Sequence, residues 1–316
     1  MSPPVPQELI DLIVGNLAGD APSLKSCSLT AQAFVRPSQM LLFRSIEILP
    51  PTPSHSGDNP CQRFYKQLSS SSHLASYVRQ LHIVLKVRVK DQVTANDPSW
   101  IMSGRTLSLV LPLLTLNHIS LVDKSARETA GWKLNWSRLS RSLRSALTAV
   151  FSSPTLRFVQ LQWITMRSPR ELLSLFCDAT SPKWLQLSCV SIDPTHEDES
   201  WPQSRAWRPK LTTLSVSEIS GDTCTSHFIH PRIDLSGLTK LAILVPRMNG
   251  WKFGSDVVPA LENLITLILA RFSVATDMLG VEKLTTLSVG YMCGEQARNP
   301  VWDAFMFNWM QKWSWW

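Results

Sequence analysis

The feature that most constrains this chain is a recurring spacing of apolar residues, apolar-x-x-apolar-x-apolar-x-x-apolar. It reads Leu111, Leu114, Leu116, Ile119, then Leu156, Val159, Leu161, Ile164, then Leu211, Leu214, Val216, Ile219. It returns as Leu264, Leu267, Leu269, Phe272 and as Leu284, Leu287, Val289, Met292. Weaker copies centre on Leu81, Leu185 and Leu241. The second apolar positions fall at 81, 114, 159, 185, 214, 241, 267 and 287, so from 159 onward the steps are 26, 29, 27, 26 and 20 residues. One such unit is a short strand with a single apolar face, which cannot bury that face alone. Stacked neighbours can bury it, and a fixed period of about 20–29 residues is the sequence signature of such stacking. The expected fold is α/β, an irregular solenoid over residues 77–300 with a parallel sheet on its concave face. The two longer early steps leave room for inserted loops.

Helix-like segments lie between the copies. The clearest is "SRLSRSLRSALTAVF", with Leu139, Leu143 and Leu147 four residues apart and Arg138, Arg141 and Arg144 facing elsewhere. In the strands the leucines point inward and the alternating residues point outward. The outward set includes Gln160, Gln162, Gln186, Ser188, Ser215 and Ser217. Small, neutral polar side chains suit a surface that binds a target and supply no catalytic chemistry. The longest uncharged run, residues 106–122, contains Pro112, Asn117 and His118 and falls short of the roughly 20 residues that a membrane span needs. It reads as a buried helix followed by a strand, so no membrane span is expected.

The first 48 residues have a different texture. Pro6 precedes an apolar run, Gly19 and Asp20 end it, Pro22 opens a second helix through Leu24 and Cys27, and Pro37 marks a third start. Within the first helix Leu9, Ile10, Leu12, Ile13, Val14 and Leu17 cover roughly 200° of the cylinder, whereas packing on one core needs about 100°. The second apolar face needs a partner. A Pro/Ser/Gly-rich stretch at 50–60 then reads as a linker, so residues 49–76 are expected to hold a linker and a helix.

This opening resembles an F-box. The residues that carry the resemblance are Pro6, Glu8, Leu9, Ile10, Ile13, Leu17, Leu24, Cys27, Ser28, Leu29 and Phe34, closed by "LLFRSI". Val5-Pro6 stands where the family usually has Leu-Pro. The following "CQRFYKQLSSSSHLASYVRQLHI" looks like the segment after the box in a large fungal group of F-box-like proteins with degenerate leucine-rich repeats. The resemblance implies that one helical face holds the three-helix unit and the other docks on the Skp-type adaptor of a cullin–RING ubiquitin ligase. The positions it assigns to the adaptor are Pro6, Leu9, Ile10, Ile13, Leu24, Cys27 and Phe34. The repeats would then present a protein target, whose identity the sequence does not name. The chain would be the substrate-recognition subunit of an SCF-type ligase, not an enzyme. The alternatives are a helical cap packed wholly on the repeats and a leucine-rich-repeat scaffold with no ubiquitin link. One departure stands out. Common leucine-rich repeats end the motif on Asn or Cys, where this chain has Ile119, Ile164, Ile219 and Phe272.

Charge and chemistry-bearing residues narrow the function further. The formal charge is +7, and nine Lys/Arg against Glu128 between Lys124 and Arg170 account for it, so the rest of the chain is near neutral. Trp132, Trp136 and Trp163 interleave that basic segment, which reads first as the outer helix of a repeat and second as a docking patch. Nucleic acid is not an expected partner. Six cysteines, at 27, 61, 177, 189, 224 and 293, form no CxxC pair and fit a reducing compartment, cytoplasm or nucleus. Cys224, His227 and His230 have metal-ligand spacing but lack a fourth ligand, and "THEDES" at 195–200 reads as a solvated loop. No GxGxxG, GKS/GKT or GxSxG motif occurs, so no cofactor, metal or catalytic residue is expected. Residues 301–316 hold five Trp beside Asp303 and Lys312. That tail reads as a capping helix, an interaction peptide or a chain lacking its cap.

Overall fold

Three helices open the chain, α1 (Gln7–Gly15), α2 (Ala21–Thr30) and α3 (Gln32–Leu42). The computed structural model describes residues 5–51, 59–87, 99–103, 105–124, 133–176, 179–192, 210–217, 235–244, 266–270 and 286–290. Gly19 turns the chain at φ 96°, a left-handed conformation that glycine adopts at little steric cost. Asp20 then caps α2, its carboxylate accepting from Ser23 N–H at 3.2 Å, with Pro22 in the first turn. The third helix begins at Gln32, and Pro37 lies inside it instead of at its start. Ile10, Val14 and Leu24 form the core of this unit, with Leu17, Phe34, Leu41 and Leu42 packed against it.

The rest alternates strands and helices: β1 (Ser45–Ile48), α4 (Pro60–Ser70), β2 (Gln80–Val87), α5 (Ser99–Ser103), α6 (Thr106–Val110), β3 (His118–Lys124), β4 (Leu134–Asn135) and α7 (Arg141–Phe151). Then come β5 (Phe158–Gln162), β6 (Ile164–Met166), α8 (Pro169–Phe176), β7 (Trp184–Ser188), β8 (Ser191–Ile192), β9 (Thr213–Ser217), β10 (Lys240–Leu244), β11 (Thr266–Ala270) and β12 (Thr286–Gly290). Nine strands form one sheet in the order β1-β2-β3-β5-β7-β9-β10-β11-β12, and every neighbouring pair is parallel. The fold is mixed α/β, as expected.

The register is the apolar pattern made physical. Ile46, Leu81, Ile119, Val159, Leu185, Leu214, Leu241, Leu267 and Leu287 pair across the sheet in one row. Those of the row from Leu81 to Leu241 are buried, at 0–1% exposure. Two expectations shift. The copy at 111–119 is displaced by five residues: Ile119, not Leu114, takes the second position, because Leu111–Leu113 is a 3-10 turn. The sheet also begins at Ser45, since β1 pairs with β2 ahead of the linker. The run 106–122 is a helix and then a strand, as its composition indicates. Among the described residues no helix is long and apolar enough to cross a membrane.

Helices pack on one side of the sheet and share one core with it. In α4 the Asn59 side chain caps Cys61 N–H at 2.9 Å, and Cys61, Phe64 and Leu68 are buried. In α7 the Ser140 hydroxyl accepts from Leu143 N–H at 3.2 Å, and Leu143, Leu147, Val150 and Phe151 are buried. Arg138 and Arg141 are exposed, Arg144 lies 3.8 Å from Glu171, and Trp136 is buried in the core. Of the nine basic residues in that segment, Arg141 and Arg144 lie on α7, Arg138 precedes it and Arg157 stands just ahead of β5. After β5 and β7 the chain turns a corner at Trp163 (φ 58°) and Cys189 (φ 53°), each one residue past the end of its strand. Each corner feeds a second, small parallel sheet of β4, β6 and β8. Left-handed non-glycine residues are uncommon, and their recurrence here marks the bend between the two sheets. Residues 52–58, the acidic loop at 195–200, Cys224, His227, His230 and the tail 301–316 lie outside the described residues.

Candidate functional site

Two surfaces offer chemistry. The first is α1. Its apolar arc divides into two bands. Ile10 and Val14 point into the helical unit at 5% and 0% exposure, with Leu17 packed beside them. Leu9, Leu12 and Ile13 keep 50%, 64% and 52% of their surface exposed. The outward band spans roughly 100°, the width that one packing partner covers. Val5, just ahead of the helix, is exposed as well. Between α1 and α3 runs a groove of about 570 Å³, with Gln7, Asp11, Arg36 and Met40 among its lining.

The seven adaptor positions therefore separate. Pro6, Leu9 and Ile13 are exposed. Ile10 and Leu24 are buried, at 5% and 2%, so they hold the helical unit together and present no surface to a partner. The reason is geometric: one helix cannot turn adjacent residues to the same side, and Ile10 follows Leu9 by about 100°. Phe34 is half-buried on the unit's core, and Cys27 is half-buried. Leu12 is more exposed than either Leu9 or Ile13, and its place in the apolar arc was the signal for it.

The second surface is the face of the main sheet opposite the helices. Gln160, Gln186 and Ser215 lie in one register row and are half-buried. Gln162, Ser188 and Ser217 form another row, but Ser188 is buried at 6%, which withdraws it from the expected target surface. The side chain of Ser217 lies outside the described residues.

Sequence reasoning missed the row beside these. His118, Phe158 and Trp184 are register partners on β3, β5 and β7. Their rings pack in series, with centroids 4.2 Å apart for His118–Phe158 and 4.9 Å for Phe158–Trp184. His82 adds a fourth ring, 4.8 Å from His118. Burial and the neighbouring His82 push the His118 imidazole down to about 4, so it is neutral at physiological pH. Trp184 ends the row with 47% of its surface exposed.

His82 Nδ1 and Ser120 Oγ are 2.7 Å apart, the spacing of a base and its nucleophile. Ser120 is wholly buried, however, so no substrate reaches its hydroxyl and the bond ties β2 to β3. Burial alone pushes the Cys61 thiol up to about 12, far from a reactive thiolate. Among the described residues no group of three or more His, Cys, Asp or Glu could hold a metal ion. No family model and no curated protein matches the chain.

Proposed function

We propose that this chain is the substrate-recognition subunit of an SCF-type ubiquitin ligase. On this reading the helical unit α1–α3 is an F-box that docks on the Skp-type adaptor, and the strands and helices that follow are an irregular leucine-rich-repeat solenoid that holds a protein target. The chain does no chemistry itself. It gathers target and ubiquitin-charged enzyme into one assembly, and the rate gain is one of proximity.

The observation that carries the proposal is the outward band of α1. Leu9, Leu12 and Ile13 are half or more exposed on a helix whose other band already satisfies its own unit. A packed helical cap would leave no such band, because solvent exposure of three neighbouring large aliphatic side chains forgoes their burial energy. The proposal is tested by co-expressing the chain with a Skp-type adaptor and measuring the purified complex by light scattering. The expected result is a 1:1 complex. A chain that purifies alone, folded and without adaptor, supports the scaffold reading instead and overturns the ligase assignment.

A further inference from the structure

Immediately before β1, β2, β3, β5 and β7 stands one residue whose backbone joins the hydrogen-bond ladder. The N–H of Arg79 donates to Arg44 O, that of Asn117 to Arg79 O, that of Arg157 to Asn117 O and that of Lys183 to Arg157 O, at 2.8–2.9 Å. Residues 44, 79, 117, 157 and 183 are thereby stacked across five neighbouring strands. Strands lie about 4.8 Å apart, so Arg44 and Lys183 are roughly 19 Å apart along the row. Four of the five are cationic, and all four are exposed. Arg79 Nη1 donates to Thr115 O and Arg157 Nη1 to Ser181 O, both at 3.2 Å, which lays each arm toward the next repeat. A guanidinium has five N–H donors, so one such bond leaves others for a ligand. The adjacent positions Ser45, Gln80, His118, Phe158 and Trp184 bring no carboxylate to the row. Instead they bring the aromatic series His118–Phe158–Trp184, one residue further along each strand.

We infer that this edge of the sheet docks an extended acidic segment of a partner protein, with carboxylates on Arg44, Arg79, Arg157 and Lys183 and apolar side chains on the aromatic row. The inference rests on the sheet's open face being the target surface and is independent of the adaptor. Charge complementarity selects the class of ligand: four exposed cations, flanked on β1 by Glu47, leave the row net positive, which favours anions and disfavours basic segments. The rings select peptide over single-stranded nucleic acid. Base stacking needs open ring faces, whereas these rings pack against one another and leave Trp184 as the exposed end. Such a row is a floor for aliphatic side chains. At about 3.3 Å per residue, roughly six extended residues span the row.

The test is fluorescence anisotropy on the full chain at low salt with three labelled probes. These are a ten-residue peptide alternating glutamate and leucine, its lysine–leucine counterpart, and a ten-nucleotide oligouridine. The acidic peptide is expected to bind, more weakly as salt rises, and to bind more tightly than either other probe. The double variant Arg157→Glu, Lys183→Glu is expected to lower its affinity at least tenfold. Trp184→Ala is expected to lower affinity without changing the salt dependence. Circular dichroism checks that both variants fold, and adaptor capture, which uses α1–α3, is expected to be unchanged. Failure of adaptor capture with peptide binding intact overturns the ligase reading and leaves this inference standing. Four results overturn the inference: no binding of the acidic peptide, equal binding of the lysine peptide, tighter binding of the RNA, or an acidic-peptide affinity that charge reversal leaves unchanged.

Discussion

Replacing Leu9 and Ile13 together by Asp probes the outward band of α1 without touching the core beneath it. Fully burying a Leu or Ile side chain stabilises by about 1.5–3 kcal/mol. Leu9 and Ile13 retain 50% and 52% of their surface for a partner to cover, so their docking contributes about 1 kcal/mol each. The substitution removes that and asks the interface to bury two unpaired carboxylates, each at a cost of at least about 1 kcal/mol. The sum is about 4 kcal/mol, or about a thousandfold in Kd at 1.4 kcal/mol per decade. Because both sites face solvent in the isolated chain, stability should change by no more than about 1 kcal/mol. Ile10→Asp is the contrasting variant: at 5% exposure it places the charge in the core of the helical unit and should unfold that unit. The assay is isothermal titration with purified Skp-type adaptor, beside thermal melts of all three proteins. A double variant that melts normally and binds within about threefold of the unsubstituted chain refutes the interface assignment.

The remaining predictions concern the sheet and its helices. His118 sits at about 4 against an ordinary 6.5. Between those values the unfolded chain takes up a proton that the folded chain refuses, so this contribution is complete above pH 6.5 and is lost as pH falls toward 4. Urea midpoints should therefore fall between pH 7 and pH 5, and His118→Gln should flatten that dependence. Leu143→Ala, at a site with 0% exposure, should cost about 2–5 kcal/mol by denaturant titration, since it opens a cavity between α7 and the sheet. Maleimide labelling of the native chain, followed by peptide mass mapping, should modify half-buried Cys27 well before buried Cys61, whose thiol is pushed up to about 12. Equal labelling rates would show that the α4 face of the core opens freely.

Much of the architecture was legible before any coordinates, because the signals were local or strictly periodic. Pro22 is a local signal, and α2 starts where it places it, while Asp20, read as part of the end of α1, is the cap of α2. The steps from Val159 to Leu185, Leu214, Leu241, Leu267 and Leu287 became register rows, since a common core forces equivalent leucines into alignment. The pattern failed at Leu114, where one leucine-rich run supplies both a 3-10 turn and a strand and an apolar spacing alone does not tell them apart. Sequence also showed that α1 has more apolar surface than one core needs, but not which residues face which way. Packing decided that, burying Ile10 and Val14 and leaving Leu9, Leu12 and Ile13 outside.

What only the tertiary structure decided is the composition of the open face. His118, Phe158 and Trp184 are separated by 40 and 26 residues and occupy variable positions of the motif, so nothing local joins them. The cations at 44, 79, 157 and 183 are likewise far apart in the chain and fall in segments that look unrelated. The parallel sheet fixes the spacing of its buried residues, because the core punishes any departure. Its outward residues bear no such penalty and carry no period, and only the parallel register brings them into rows.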